Sequence, residues 1–477
     1  MTAPGTAVPP VRVPETGPRL SGVPWSGPVL VVVGMSAATY SVVRFDLRIV
    51  GTYLVLAVLL GVDLLAADRG RARWGRWPRP ALGTANRAGG AALILSAAVI
   101  WLVPGFTYLS PHAASMVRAA TATSALAAGL LFLLPGRQAA ELGLGGRRAA
   151  ELGLSVAVMG YLAGSVAVIR QDPAPAIDVW YTLQGAADAL ASGQDFYRQT
   201  WVGPPGVLSA FTYLPWTAVV LAPGRWLAGD VRVMLVAVTL GTALVLTRLS
   251  RPGSRGLGMA ALLLLLPGTT TQVEQAWTEP LLLTELAGFA LALTRRRPGW
   301  AMVALALALA SKQHIALLLP LLACWPGFGW RRAAGAGLGG LALVLPWLVA
   351  DPHAIIDDTV SLLVRFPALR FSDSLYIAAV NQLGWTPPFW ATGVVVALAL
   401  ALACTRVRAA GVDLPVLLRW CALVLLVGNL VNKQAFYNQY WLVAAVVLLS
   451  WSVTDSLPGS DSLPGSDPLP GSDPSAG

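Results

Sequence analysis

Residues 151–197 read ELGLSVAVMGYLAGSVAVIRQDPAPAIDVWYTLQGAADALASGQDFY, and this stretch decides what kind of protein the chain is. After Glu151 the run to Ile169 carries no charge. A helix needs about 20 apolar residues to cross a bilayer, and about 17 suffice, so 151–169 reads as a span. The chain then turns polar and reaches Asp178. From there Val179, Leu183, Ala186, Ala187 and Leu190 recur at helical spacing. That spacing predicts an amphipathic juxtamembrane helix lying along the membrane surface.

The same pattern extends both ways. Apolar runs near 28–43, 49–66, 88–108 and 118–135 precede the quoted stretch. Others follow near 231–248, 256–270, 280–294, 299–311, 314–326, 333–350, 388–404, 414–431 and 440–453. Of the 477 residues 56% are hydrophobic and 12% charged, where a soluble domain carries about 25% charge, and the mean hydropathy is +0.66. The bilayer is the main solvent. The expected fold is an all-α integral membrane protein with about 12–14 transmembrane helices.

The net charge of +10 is almost all arginine, held in short clusters between apolar runs. That distribution orients a membrane protein and is not a nucleic-acid footprint, so no nucleic acid is expected as partner. The clusters are Arg69, Arg71, Arg73, Arg76 and Arg79; Arg137, Arg147 and Arg148; Arg248, Arg251 and Arg255; Arg295–Arg297; Arg331 and Arg332; and Arg406 and Arg408. With both termini cytoplasmic, fourteen crossings put every cluster inside, provided that Phe211–Leu227 does not cross. Pro215, Pro223 and Gly224 suit that segment to a re-entrant or interface-lying course. Segments 170–230, 271–279, the tip near 312, 351–387 and 432–439 then face outward.

Four regions are expected. Residues 1–27 are rich in Pro and Gly, read as disordered, and show no cleavable signal. Residues 28–150 hold four additional helices and 151–453 a core. The tail 454–477 repeats DSLPGS from Asp455 and reads as disordered. A duplication, RQAAELGLGG from Arg137 and RRAAELGLSV from Arg147, reads as expansion of a basic loop.

Chemistry is expected on the outward side. Asp178 follows a span and opens a helix, where it serves as an N-cap, as a base removing a proton from an acceptor hydroxyl, or as both. Asp172, before Pro173, reads as turn chemistry. The chain has only two lysines, Lys312 in SKQH and Lys433 in NKQAFYNQYWL, each followed by Gln and each opposite the arginine side. A compact ammonium suits a lipid phosphate, and the alternative is a snorkelling anchor. The short runs around Lys312 suggest a hairpin that holds it below the outer surface. In TTTQVEQAWTEP, Glu274, Gln275, Trp277 and Glu279 offer carboxylates and a ring to a sugar, or simple helix-end polarity. Arg365 and Arg370 either hold phosphate or pair with Asp357, Asp358 and Asp373. His314 and His353 lack metal spacing, and Cys324, Cys404 and Cys421 read as small apolar residues. No cofactor is expected, and a divalent metal is compatible with the chemistry but not indicated.

In order, IDVW, SGQDFY and FTYLPWTAVVLAP resemble the first external loop of GT-C membrane glycosyltransferases. SKQH and NKQAFYNQYWL resemble the actinobacterial polyprenyl-phosphate-mannose-dependent mannosyltransferases of glycosyltransferase family 87. The resemblance covers roughly 151–453, and the family's Tyr-Pro-Pro stands here as Tyr213, Leu214, Pro215. It implies a lipid-linked sugar donor, mannose or arabinose, a glycan or glycolipid acceptor, and Asp178 as base on the outer face of the plasma membrane. Lys312, Lys433, Arg365 and Arg370 are the expected donor-phosphate ligands, on the charge argument. Tyr213, Gln275, Glu279, Gln313, Gln434 and Tyr437 are the expected substrate contacts. A transporter or flippase is the rival, and it predicts charges deep in several spans, where the sequence offers few, such as Asp63 and Glu285.

Overall fold

A computed structural model of the chain describes residues 26–37, 44–69, 82–103, 105–135, 138, 141, 143–250, 256–410 and 412–453. The expectations for residues 1–25, the tail 454–477, Arg71–Arg79, Arg137, Arg251 and Arg255 lie outside these. Every regular element among the described residues is helical. In chain order they are α1 (Ser26–Ala37), α2 (Leu47–Arg69), α3 (Leu82–Leu102), α4 (Pro111–Leu133) and α5 (Gly146–Gln171). Then come α6 (Asp178–Ala191), α7 (Pro215–Ala228), α8 (Arg232–Leu249), α9 (Gly256–Leu264) and α10 (Thr269–Glu274). Next are α11 (Glu279–Thr294), α12 (Pro298–Ser311), α13 (Leu319–Cys324) and α14 (Trp330–Ala350). The last are α15 (Pro352–Ile356), α16 (Leu362–Arg365), α17 (Leu375–Leu383), α18 (Phe389–Ala410), α19 (Leu414–Val431) and α20 (Tyr437–Ser452).

Seven of these, α2, α4, α5, α8, α14, α18 and α19, are long and apolar enough to cross a membrane. Their outer faces are apolar as well: Leu338 on α14 and Leu398 on α18 stand 68% and 65% exposed. Large aliphatic side chains bared along whole helices suit hydrocarbon, not water.

Two runs expected as single spans are interrupted, with identifiable causes. The 256–270 run ends as α9 at Leu264, before Pro267 and Gly268, whose φ is +92°. The 314–326 run is a 3₁₀ turn, Gln313–Leu318, followed by the six-residue α13. Pro320 at the start of α13 has no N–H to give the preceding turn, so the α ladder cannot run unbroken through it. The Phe211–Leu227 segment runs extended and then as α7, whose 14 residues rise only about 21 Å, and Gly229 ends it in the left-handed conformation.

One apolar core extends from Val31 on α1 to Val453 after α20, so the first four helices share it with the rest. Gly90 and Gly129 let α3 and α4 approach until a Cβ on either would sit under 3 Å from the other's carbonyl oxygen. A second core joins α6, α7 and the start of α8 through Leu183, Phe196, Phe211, Leu221 and Val231. The connections separate by end. The links before α2 and after α3, α5, α10, α12, α14 and α19 gather at one end, tied by bonds such as Asp46 to Asp373 and Gln313 to Thr212. At the opposite end Ser250 meets Ser452, and Trp325 meets Val412.

Candidate functional site

The loop end is built around the base of the 172–230 loop. Arg232, fully buried at the start of α8, donates from Nε to both oxygens of Asp230 at 3.1 and 3.0 Å. Its Nη2 donates to Asp230 Oδ2 at 2.7 Å and to the Asp172 carbonyl at 2.8 Å. Trp180 of α6 donates to the same Asp230 carboxylate at 3.2 Å. Gln184 donates to the Gly229 carbonyl and accepts from the Val231 N–H. Arg232 thereby ties the two ends of the loop together and α6 holds the 229–231 end; a forked guanidinium is the group able to serve two such acceptors at once.

Asp178 is the first residue of α6, and Ile177, in extended conformation, holds the N-cap position. Its carboxylate accepts from Val207 N–H through Oδ2 at 2.6 Å and, through Oδ1 at 2.9 Å, from Val179 N–H, a first-turn donor of the helix. A Cβ on Gly206 would lie 2.5 Å from this carboxylate, so the 201–207 segment lies directly against it. Burial raises the Asp178 carboxyl above its ordinary 3.8, and the backbone N–H bonds work against that rise. Asp172, expected as a turn residue, ends α5, and one of its carboxylate oxygens is buried without a partner.

Lys312 ends α12 and stands in the break before the 3₁₀ turn. Its ammonium donates to Glu279 Oε1 at 2.6 Å and to Thr278 Oγ1 at 3.3 Å. Glu279 is fully buried and the Lys312 side chain is 15% exposed. The ring of Tyr213 lies 5.2 Å from the ammonium. Burial, then Glu279, then Asp178 raise the Tyr213 phenol well above 10, which puts this ring in the field of both carboxylates. Gln313 donates to the carbonyls of Thr212 and Thr359, and Leu214 N–H to the Ser311 carbonyl. The FTYLP segment is therefore stapled to the Lys312 link.

Glu279 opens α11, a favourable place for a carboxylate. The turn before it ends α10 in a Schellman arrangement: Trp277 N–H donates to the Gln272 carbonyl and Ala276 N–H to that of Val273. Ala276 there has φ +54°. A non-glycine in this region costs about 1–2 kcal/mol, a strain that accompanies functional turns. Gln275 is fully buried, with both amide atoms unpartnered.

The remaining expected residues gather elsewhere at the same end. Lys433 donates to the carbonyls of Val364, at 2.8 Å, and Phe366, and Gln434 to that of Pro367. Arg365 pairs with Asp357 at 3.0 Å, both well exposed. Arg370 is exposed and among the described residues makes no ion pair. Tyr437 donates to the Pro267 carbonyl and lies near Trp277, the ring centroids 6.2 Å apart and the planes tilted by 44°. Lys312 and Lys433 thus share an end of the bundle but hold different partners.

The loop from Gly105 to Ser110 was not expected at the site. Thr107 Oγ1 and Tyr108 N–H both donate to Glu274 Oε1, at 2.6 and 2.8 Å. Burial, then Asp178, then Glu274 raise the Tyr108 phenol. Its signal was the Pro104-Gly105 pair and the polar FTYLS after it, which interrupt the run expected over 88–108. No protein-family model matches this chain, and no curated protein matches it.

Proposed function

We propose that the chain transfers a sugar, mannose or arabinose, from a polyprenyl-phosphate donor to a glycan or glycolipid hydroxyl at the outer face of the plasma membrane. Asp178 takes the acceptor's proton while the acceptor oxygen bonds to the anomeric carbon. The bond from that carbon to the phosphate oxygen breaks, its electron pair leaves on the lipid phosphate, and the configuration inverts. The observation that carries this reading is a carboxylate outside the apolar helices, aimed by two backbone N–H groups and raised by burial, in the same electrostatic field as the buried Lys312–Glu279 pair. A base whose affinity for protons is raised by burial is better matched to a hydroxyl.

The donor phosphate goes to the neighbourhood of Lys433, Arg365 and Arg370. Val360 and Val364 stand 52% and 57% exposed there, an apolar surface beside cations that suits a lipid bearing an anionic head. Preorganised cations count toward rate because charge builds on the leaving phosphate. Against transport, Asp63 and Glu285, two acids within helices, each hold a partner through one oxygen, the other being buried without one: Asp63 meets Arg419 at 2.7 Å, and Glu285 accepts from Ser311 at 2.8 Å.

The test compares lipid-linked sugars and envelope glycans by mass spectrometry between a deletion strain and one carrying Asp178→Ala. The two profiles should be the same, with the variant present at normal level in the membrane. A wild-type glycan profile in the variant would refute the assignment.

A further inference from the structure

The buried pair at the α11–α12 junction leaves an unusual remainder. Two of the three Lys312 donors are taken by Glu279 and Thr278, and the pair carries no net charge. Glu279 Oε2 has no partner and is shielded from solvent. Asn438, the second residue of α20, bonds to the Glu279 carboxylate through its side-chain amide, is 9% exposed, and leaves its carbonyl oxygen, like Glu279 Oε2, without a donor. Buried polar atoms are ordinarily satisfied, and a pair of orphaned acceptors that close together needs a source of donors. An ionised phosphate brings acceptors only and would be repelled. Hydroxyl groups bring both donors and acceptors.

We infer that Glu279, Asn438 and Lys312, over the ring of Tyr213, form a subsite for the hydroxyls of a neutral sugar ring, not for phosphate. This rests on the glycosyl-transfer reading for its purpose, though not for its chemistry. The carboxylate and the amide accept from adjacent hydroxyls, the remaining ammonium hydrogen meets a ring or hydroxyl oxygen, and the aromatic face borders the apolar side of the ring. Lys312 is placed here as the counter-charge that lets a carboxylate stay buried and ionised.

Full-length protein in lipid nanodiscs, probed by saturation-transfer NMR with methyl α-mannopyranoside and methyl α-arabinofuranoside, tests the subsite, with inorganic phosphate followed in parallel by ³¹P line broadening. At least one glycoside should bind the wild type. Its binding should weaken about tenfold or more in Asn438→Leu, as expected for loss of a buried hydrogen bond. It should weaken similarly in the double variant Glu279→Gln/Lys312→Met, which removes the pair without leaving a lone buried charge. Phosphate binding should be unchanged in both. Melting curves show whether each variant is folded, and Asn438→Leu, which keeps the ion pair, carries the test if the double variant does not fold. Absence of glycoside binding to the wild type, binding indifferent to these changes, or phosphate binding lost in the double variant would each overturn the subsite. Asp178→Asn separates the two readings: it should keep glycoside binding and lose transfer. If it keeps both, the subsite stands and the transfer assignment falls.

Discussion

Thr107 donates its hydroxyl hydrogen to Glu274 at 2.6 Å, joining positions 167 residues apart. The link between α3 and α4 is by this bond part of the loop end. Glu274 is 4% exposed, and burial raises its carboxyl while the bonds from Thr107 and Tyr108 hold it down.

Thr107→Val should therefore weaken the fold by about 1–3 kcal/mol, because a buried carboxyl loses a donor it cannot replace with water. A lowered melting temperature in detergent is the readout. Thr107→Ser, which keeps the hydroxyl, should recover most of it.

Gly206→Ala should impair transfer and also strain the loop, since Gly206 has φ +153°, a backbone that side chains rarely adopt. The added Cβ would lie 2.5 Å from the Asp178 carboxylate, so that side chain must move. A displacement of about 1 Å at a reacting group lowers turnover about a hundredfold. Normal glycan output from this variant would show that the position of Asp178 does not matter.

Arg232→Ala should destabilise the chain by about 3–5 kcal/mol, since Asp230 would be left buried beside Trp180 without its counter-charge. Arg232→Lys should recover only part, because an ammonium cannot reproduce the fork that spans Asp230 and the Asp172 carbonyl. Membrane-inserted yield and melting temperature measure both.

Asp373 makes stability depend on pH. Its carboxylate accepts from Asp46 N–H at 2.8 Å, and burial raises the carboxyl to about 7 from 3.8. Between those values the folded chain holds a proton that the unfolded chain has lost. Stability from this group is thus present below about pH 4 and is lost as pH rises toward 7. Asp358, raised to about 6, adds in the same direction over a narrower window. Melting temperature should fall from pH 5 to pH 8, a range spanning these two values, and Asp373→Asn should flatten that fall. An unchanged slope in Asp373→Asn would place the effect elsewhere.

Much of the site was visible in the linear chain because its chemistry is carried by residue types that are rare here. Two lysines among thirty-three basic residues, and an aspartate at the end of an apolar run, are exceptions that stand out. The partners were not visible. Nothing in the order of residues says that Lys312 meets Glu279, that Lys433 meets the carbonyls of Val364 and Phe366, or that Glu274 is held by the Thr107 loop. Each joins segments between 33 and 167 residues apart.

By itself the sequence determined that the chain is helical and apolar and which connections share an end, since the period of apolar residues and the placing of arginine respond to local burial and to the bilayer. Only the tertiary structure decided which partners the charged side chains at that end hold. In a low-dielectric interior a buried lysine must find a carboxylate, and which one it finds depends on how Pro267, Gly268, Ala276 and Pro320 break the helices around it. That pairing, absent from any local pattern, makes Lys312 half of a buried ion pair with Glu279.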